Sequence, residues 1–193
     1  MPSIAGHMVI AKLVSSKLGI ESSEFIKGNL LPDIIDMRDS HHKIKGKHFY
    51  IPDIDYFKRN LDLENPLYLG YYTHLLLDKY FLEDFFPKNI KNLEVFSNGI
   101  VYNEYSLLNY QLVRKFGLDV DYLTWILSSY EVDIDRNGLK KNLKCLSNTE
   151  IGETVYLKFV DFAKFLEDIS LTIGEEIEDY ASKSNMLLIR SRK

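Results

Sequence analysis

Apolar positions recur along this chain at a helical period. Between Ile4 and Leu18, the residues His7, Ile10, Val14 and Leu18 share one stripe, while Lys12, Ser15 and Ser16 lie off it. Gly19 is a natural stop. Ser22 or Ser23 can cap a short second helix to about Asn29, and Pro32 predicts that Leu31-Pro32-Asp33 begins a loop or turn. From Asp36 to Pro52 no period is sustained, which predicts a long charged loop with at most a short turn of helix. Asp53 can cap a helix to about Asn60. Asn65-Pro66 opens another, expected to run to about Phe85, before Pro87. Tyr102 to Phe116, closed by Gly117, then Val120 to Tyr130 and Asn137 to Leu146 read as further helices. Asn148 or Thr149 should cap a long last helix through about Ser182. The only strand-like stretches, Lys47 to Ile51 and Asn92 to Tyr102, are short or interrupted. The pattern predicts an all-α fold in a single domain over residues 1–193.

Composition narrows the function classes. The 193 residues are 46% hydrophobic and 27% charged, which excludes a disordered chain. The net charge of −4 offers no electrostatic footprint for a nucleic-acid partner. A single cysteine, Cys145, excludes an intramolecular disulfide and a cysteine-built zinc cluster. No stretch approaches the roughly 20 apolar residues of a transmembrane segment. The first residues lack a basic lead and a long apolar run, so they do not read as a signal peptide, and a cytoplasmic protein is expected. All five histidines precede position 75, so any imidazole chemistry belongs to the N-terminal part.

The helix opened by Pro66 contains an anomaly. Its stripe of Leu67, Gly70, Tyr71, His74, Leu75, Asp78, Phe81 and Leu82 should face the core, yet it includes His74 and Asp78 one turn apart on one face. A buried carboxylate needs a partner. That partner is a cation, a hydrogen bond from His74, or a lysine or arginine. Gly70 would leave room beside the site. His7 repeats the anomaly on the first helix, where it is either a satisfied core histidine or a ligand.

Asp33, placed at the edge of the core by the lead-in Gly28-Asn29-Leu30-Leu31-Pro32, and one of the pair His41-His42 can complete such a site from the intervening loop. Three histidines and two aspartates, with no sulfur, suit Zn²⁺, with Mn²⁺, Fe or Ni²⁺ as possible substitutes. Five ligands imply one ion with an expanded shell, or two ions bridged by Asp78. Other residues have plainer readings. Glu104 and Tyr105 are either additional cleft groups or a surface acid and a core aromatic. Tyr71 and Tyr72 line a pocket or fill the core. Arg38 and Lys43 meet a phosphate or stay in solvent.

These residues resemble the zinc-dependent phospholipase C family, which is related in fold to fungal single-strand nucleases. The likeness is carried by Met1-Pro2 and His7, by Gly28-Asn29-Leu30-Leu31-Pro32-Asp33, by Ser40-His41, and by Leu69-Gly70-Tyr71 leading into His74-Leu75-Leu76-Leu77-Asp78. It covers roughly residues 1–86. It implies a multi-helix bundle with a zinc cluster in a cleft and phosphodiester hydrolysis as its chemistry. It also implies that Asp33, His41, His74 and Asp78 form one metal centre, and that His7 with Asp78 helps hold a second. Within the pair, Ser40 before His41 favours His41. The chain departs from the family in having no histidine after His74 for a third centre, and no N-terminal tryptophan.

The resulting expectation is a metal-dependent hydrolase of a small-molecule or lipid phosphoester, using one or two zinc ions, with Asp36 accepting a proton from the attacking water. The alternative is a non-catalytic relative in which the ion is structural. A different all-α metallophosphohydrolase with adjacent His-Asp residues ranks last, because no histidine here is followed directly by aspartate.

Overall fold

The computed structural model describes residues 2–35, 40–90, 101, 104–129 and 152–183. Among these the architecture is helical. The elements are α1 (Ile4–Leu18), α2 (Ser23–Ile34), β1 (Lys43–Lys45), β2 (Tyr50–Pro52), α3 (Ile54–Asn60) and α4 (Pro66–Tyr80). A π-helical turn (Phe81–Phe85) joins α4 to α5 (Phe86–Asn89). Then come α6 (Tyr105–Phe116), α7 (Val120–Ser128) and α8 (Phe159–Lys183). No helix among the described residues is long and apolar enough to cross a membrane.

Of the caps read from the sequence, Asp53 and Asn65 are in place, Ser22 precedes α2 without a side-chain cap bond, and Ser3 caps α1 in addition. Ser3 Oγ accepts from Gly6 N–H, Asp53 from Tyr56 N–H and Asn65 from Leu67 N–H. Gly19 and Gly117 end α1 and α6 at φ of 66° and 57°, the left-handed conformation that glycine adopts without strain. Lys12 donates to the Phe116 and Gly117 carbonyls, tying the end of α6 to α1.

Four boundaries differ from expectation. First, α2 does not stop before Pro32 but continues to Ile34, with Pro32 inside it. Losing one helical N–H is offset because Leu30, Pro32 and Ile34 are all buried. Second, the loop after α2 contains an antiparallel hairpin in which Lys43 pairs with Pro52, Ile44 with Ile51 and Lys45 with Tyr50. Third, α4 stops at Tyr80, short of the expected Phe85, and the helical run continues past Pro87 through the π turn and α5. The π turn, closed by Phe86 N–H donating to Phe81 C=O, resets the helix so that Pro87 lies in the first turn of α5, where its missing N–H costs little.

Fourth, the last helix begins at Phe159 rather than near Thr149. Residues 152–158 are held instead by Glu104, whose carboxylate accepts from the N–H groups of Val155, Tyr156 and Leu157. Glu104 is therefore a loop clamp, not a cleft group. The expected helix Asn137 to Leu146, the strand-like stretch from Asn92, Cys145, Arg38 and Asp36 lie outside the described residues.

The tightest pairing is α2 against α4. It depends on two glycines. A Cβ on Gly28 would overlap the Leu67 carbonyl, and one on Gly70 would overlap the Phe25 carbonyl and crowd Asn29 N. Gly70 therefore does not leave room beside the site, as its position suggested. It lets two helix backbones meet, and this brings Asp33 of α2 next to His74 of α4. Helix α1 packs on both, and α8 closes the far side through Phe162 and Phe165 against Phe81 and Phe85, with Phe85–Phe165 centroids 4.8 Å apart.

A second polar junction locks this frame. Glu176 of α8 accepts hydrogen bonds from Lys58 of α3 and from the hydroxyls of Tyr72 and Tyr80 of α4, at 3.0, 3.1 and 2.9 Å. Burial opposes charge on Glu176, but the Lys58 ammonium and the two hydroxyls outweigh it and hold its carboxyl below the ordinary range.

Candidate metal centre

Helices α1, α2 and α4 and the turn before β1 converge on Asp78. Its side chain is fully buried, as are those of His7 and His74. Asp78 Oδ1 lies 3.5 Å from His7 Nε2. Oδ2 lies 3.2 Å from His41 Nε2 and 3.5 Å from His74 Nε2. Asp33 Oδ1 is 3.9 Å from His74 Nε2. The five residues singled out in the sequence thus meet in one place. Two overlapping triads could each hold a metal ion: His7, His74 and Asp78, or Asp33, His41 and His74. The pair His41-His42 divides cleanly. His41 turns inward, whereas His42 stacks on Tyr56 with centroids 3.8 Å apart and faces Asp53 at 3.8 Å.

Asp78 must be balanced by a cation, by histidine donors, or by a lysine or arginine. Its charged neighbours among the described residues are histidines; no lysine or arginine pairs with it. Nor do the histidines donate to it, because neither carboxylate oxygen and none of the three Nε2 atoms makes a hydrogen bond. Such a set of buried, unsatisfied polar atoms is costly unless something occupies the space between them. Ligand nitrogens and oxygens that face one another at 3.2–3.9 Å without bonding are spaced to share a cation.

The outer edges of two rings are tied down. His74 Nδ1 lies 2.7 Å from the Asn29 carbonyl. A carbonyl only accepts, so Nδ1 carries a proton and Nε2 is the nitrogen turned to the centre. His41 Nδ1 lies 2.8 Å from Ser40 Oγ. His7 has no hydrogen-bond partner at either nitrogen and is held by packing, its ring stacked on His74 with centroids 3.6 Å apart and planes within 6°.

Charge states follow from these surroundings. Burial, and then the nearby His74, lower the pKa of His7, so it is neutral imidazole at pH 7. Burial also opposes protonation of His74, but Asp33 and Asp78 outweigh it and raise its pKa. Burial opposes ionisation of Asp78, but the charge on His74, then the close imidazole nitrogens of His41 and His7, outweigh it and hold its carboxyl well below the ordinary range. Asp78 is therefore an anion at neutral pH.

Sequence reasoning missed three supporting groups. The Asn29 carbonyl leaves no trace in the sequence, since every residue has one. Ser40 was visible only as the neighbour of His41. Tyr71, read as a pocket or core aromatic, is buried and its hydroxyl donates to the Ser40 carbonyl. Tyr72 is core, bonded to Glu176, and Lys43 is exposed on β1. Comparison with protein-family models, with curated proteins and with solved structures returned no match.

Proposed function

We propose that this chain is a metal-dependent hydrolase of phosphoester or phospholipid-type substrates, similar to the zinc-dependent phospholipases C, with zinc bound by His7, Asp33, His41, His74 and Asp78. The observation that carries the proposal is Asp78, an ionised and fully buried carboxylate that faces three imidazole nitrogens and accepts a hydrogen bond from none of them.

The geometry favours two ions over one. The lone pair of an imidazole nitrogen lies in the ring plane. His7 and His74 are face to face, 3.6 Å apart, so their lone pairs do not meet at a single point. Two ions would let each imidazole serve its own ion. Asp78 divides in the same way, with Oδ1 toward His7 and Oδ2 toward His41 and His74. In this reading His74, His41, Asp33 and Asp78 hold one ion, while His7 and Asp78 hold the other, which keeps positions open to water.

Bound there, zinc would lower the pKa of a coordinated water toward 7 and polarise a phosphoryl oxygen. The protein's part is to hold Asp78 ionised, keep His7 neutral, and exclude bulk water from the His7 side. Asp36, three residues beyond Asp33, is our choice of proton acceptor for the attacking water. The test is an assay of phosphodiester, nucleotide and phospholipid substrates with metal-free and zinc-restored protein. Hydrolysis that appears only on zinc addition supports the proposal, and inert zinc-loaded protein across the whole panel rejects it.

One observation favours the runner-up, an ion that is purely structural: His7, His74 and Asp78 are sealed from solvent. Under that reading chelation lowers the melting temperature but removes no activity. Asp33, whose side chain is 18% exposed, is the group that opens the centre to a substrate.

A further inference from the structure

His41 is delivered differently from its partners. His7, Asp33, His74 and Asp78 all stand on helices, whereas His41 stands on the turn between α2 and β1. It is followed by His42 at a φ of 35°, a left-handed conformation that a histidine rarely adopts. A ligand on such a turn has no helical scaffold to fix its ring, so something else must.

Two hydrogen bonds in series supply the fixing. The Tyr71 hydroxyl donates to the Ser40 carbonyl, and Ser40 Oγ lies 2.8 Å from His41 Nδ1. Ser40, Tyr71 and His41 are only 8%, 7% and 7% exposed, so water competes weakly for these bonds. Tyr71 belongs to α4, one turn before His74, so the helix that carries His74 and Asp78 also sets where His41 can be.

We propose that Ser40 and Tyr71 are positioning residues for His41: Tyr71 holds the Ser40 backbone, and the Ser40 hydroxyl accepts a hydrogen bond from His41 Nδ1–H so that Nε2 presents its lone pair to the centre. This rests on the metal reading above. A neutral imidazole has one N–H, and the nitrogen that binds metal must be the other one. The Asn29 carbonyl, which only accepts, makes that choice for His74; for His41 the Ser40 hydroxyl is placed to accept from Nδ1–H, while Nε2 faces Asp78 Oδ2 at 3.2 Å.

The test is zinc affinity of the full chain, measured by competition with a chelator, together with ¹⁵N shifts of the histidine rings. Ser40→Ala and Tyr71→Phe should each bind zinc about 10- to 100-fold more weakly. Ser40→Thr, which keeps the hydroxyl, should recover most of the loss. Tyr72→Phe, which lies on the same helix as Tyr71 but breaks a bond to Glu176 of α8, should keep wild-type zinc affinity even as its melting temperature falls. The His41 ring should be the Nδ1–H tautomer in the wild type and a mixture in Ser40→Ala. Unchanged affinity in Ser40→Ala, or a Thr variant no better than Ala, overturns the proposal. If Tyr71→Phe fails to fold, the three Ser40 proteins decide alone. Wild-type protein that binds no zinc sinks the metal reading itself, whereas wild-type binding with indifferent Ser40 variants sinks only this inference.

Discussion

His7 and His74 stack face to face with ring centroids 3.6 Å apart, one from the first helix and one from the fourth, and both aim Nε2 at the same carboxylate, Asp78. Packing alone does not call for two imidazoles and an aspartate in a region otherwise filled by leucine, isoleucine and phenylalanine. Apolar residues there would avoid the desolvation cost of several kcal/mol that a buried ion carries.

That cost gives a first prediction. In metal-free protein the surrounding imidazoles offset much of the cost of the Asp78 charge although no hydrogen bond satisfies it, so Asp78→Asn should change the melting temperature little. Zinc should then raise the wild type by about 4 kcal/mol at a thousandfold excess over Kd, and leave the variant unmoved. Thermal scans of both proteins, with and without zinc, check this. A variant that is much less stable than chelated wild type would show that the carboxylate is satisfied without metal.

Proton competition gives a second. The raised pKa of His74 means that the metal-free fold keeps its proton above the ordinary value of 6.5. The stability this proton adds is fully present below about pH 6.5 and is lost as pH rises through the raised value. Metal must displace the same proton, so zinc affinity should fall about tenfold per pH unit once pH drops below that raised value. Titration calorimetry in buffers of different ionisation enthalpy should show proton release on binding. Affinity flat between pH 8 and 6 would contradict this.

Close helix approach gives a third. Gly70→Ala places a methyl against the Phe25 carbonyl and Gly28→Ala places one against the Leu67 carbonyl. Each should destabilise the protein by at least 1–3 kcal/mol, the usual cost of overpacking. By spreading α2 from α4, each should also weaken zinc binding. Denaturant unfolding and chelator competition on the same samples check both effects.

The Glu176 junction gives a fourth, with the opposite signature. Glu176→Gln weakens three hydrogen bonds and should lower stability by about 1–2 kcal/mol, discounted for its partial exposure. Zinc stoichiometry should not change, because no group of the metal centre touches it. The lowered pKa of Glu176 means that its contribution is present above the ordinary carboxyl value of 4.5 and is lost as pH falls through the lower folded value. The wild-type and variant stability curves should therefore converge in acid.

Much of this was legible in the sequence because burial and helical periodicity are properties of spacing. His7, His74 and Asp78 betrayed themselves as polar residues on apolar stripes, and the caps at Asp53 and Asn65 followed from local chemistry. What stayed hidden depends on contacts across the chain. Pro32 reads as a break, yet α2 runs through it because tertiary burial outweighs one missing hydrogen bond. Gly70 reads as space beside a site, yet its partner is the backbone of another helix. Phe81 to Phe85 carries no signal for a widened turn. Glu104 reads as a surface acid because the loop it clamps lies far along the chain.

The most direct test of the account is elemental analysis of purified protein, with Asp78→Ala and His74→Ala beside the wild type and circular dichroism to show that all three are folded. We predict one to two equivalents of zinc, or of a competing divalent metal, in the wild type, and a sharp loss in both variants. Folded wild-type protein that carries no metal and takes up none when zinc is supplied would contradict the claim that these buried acid and imidazole groups exist to bind a cation.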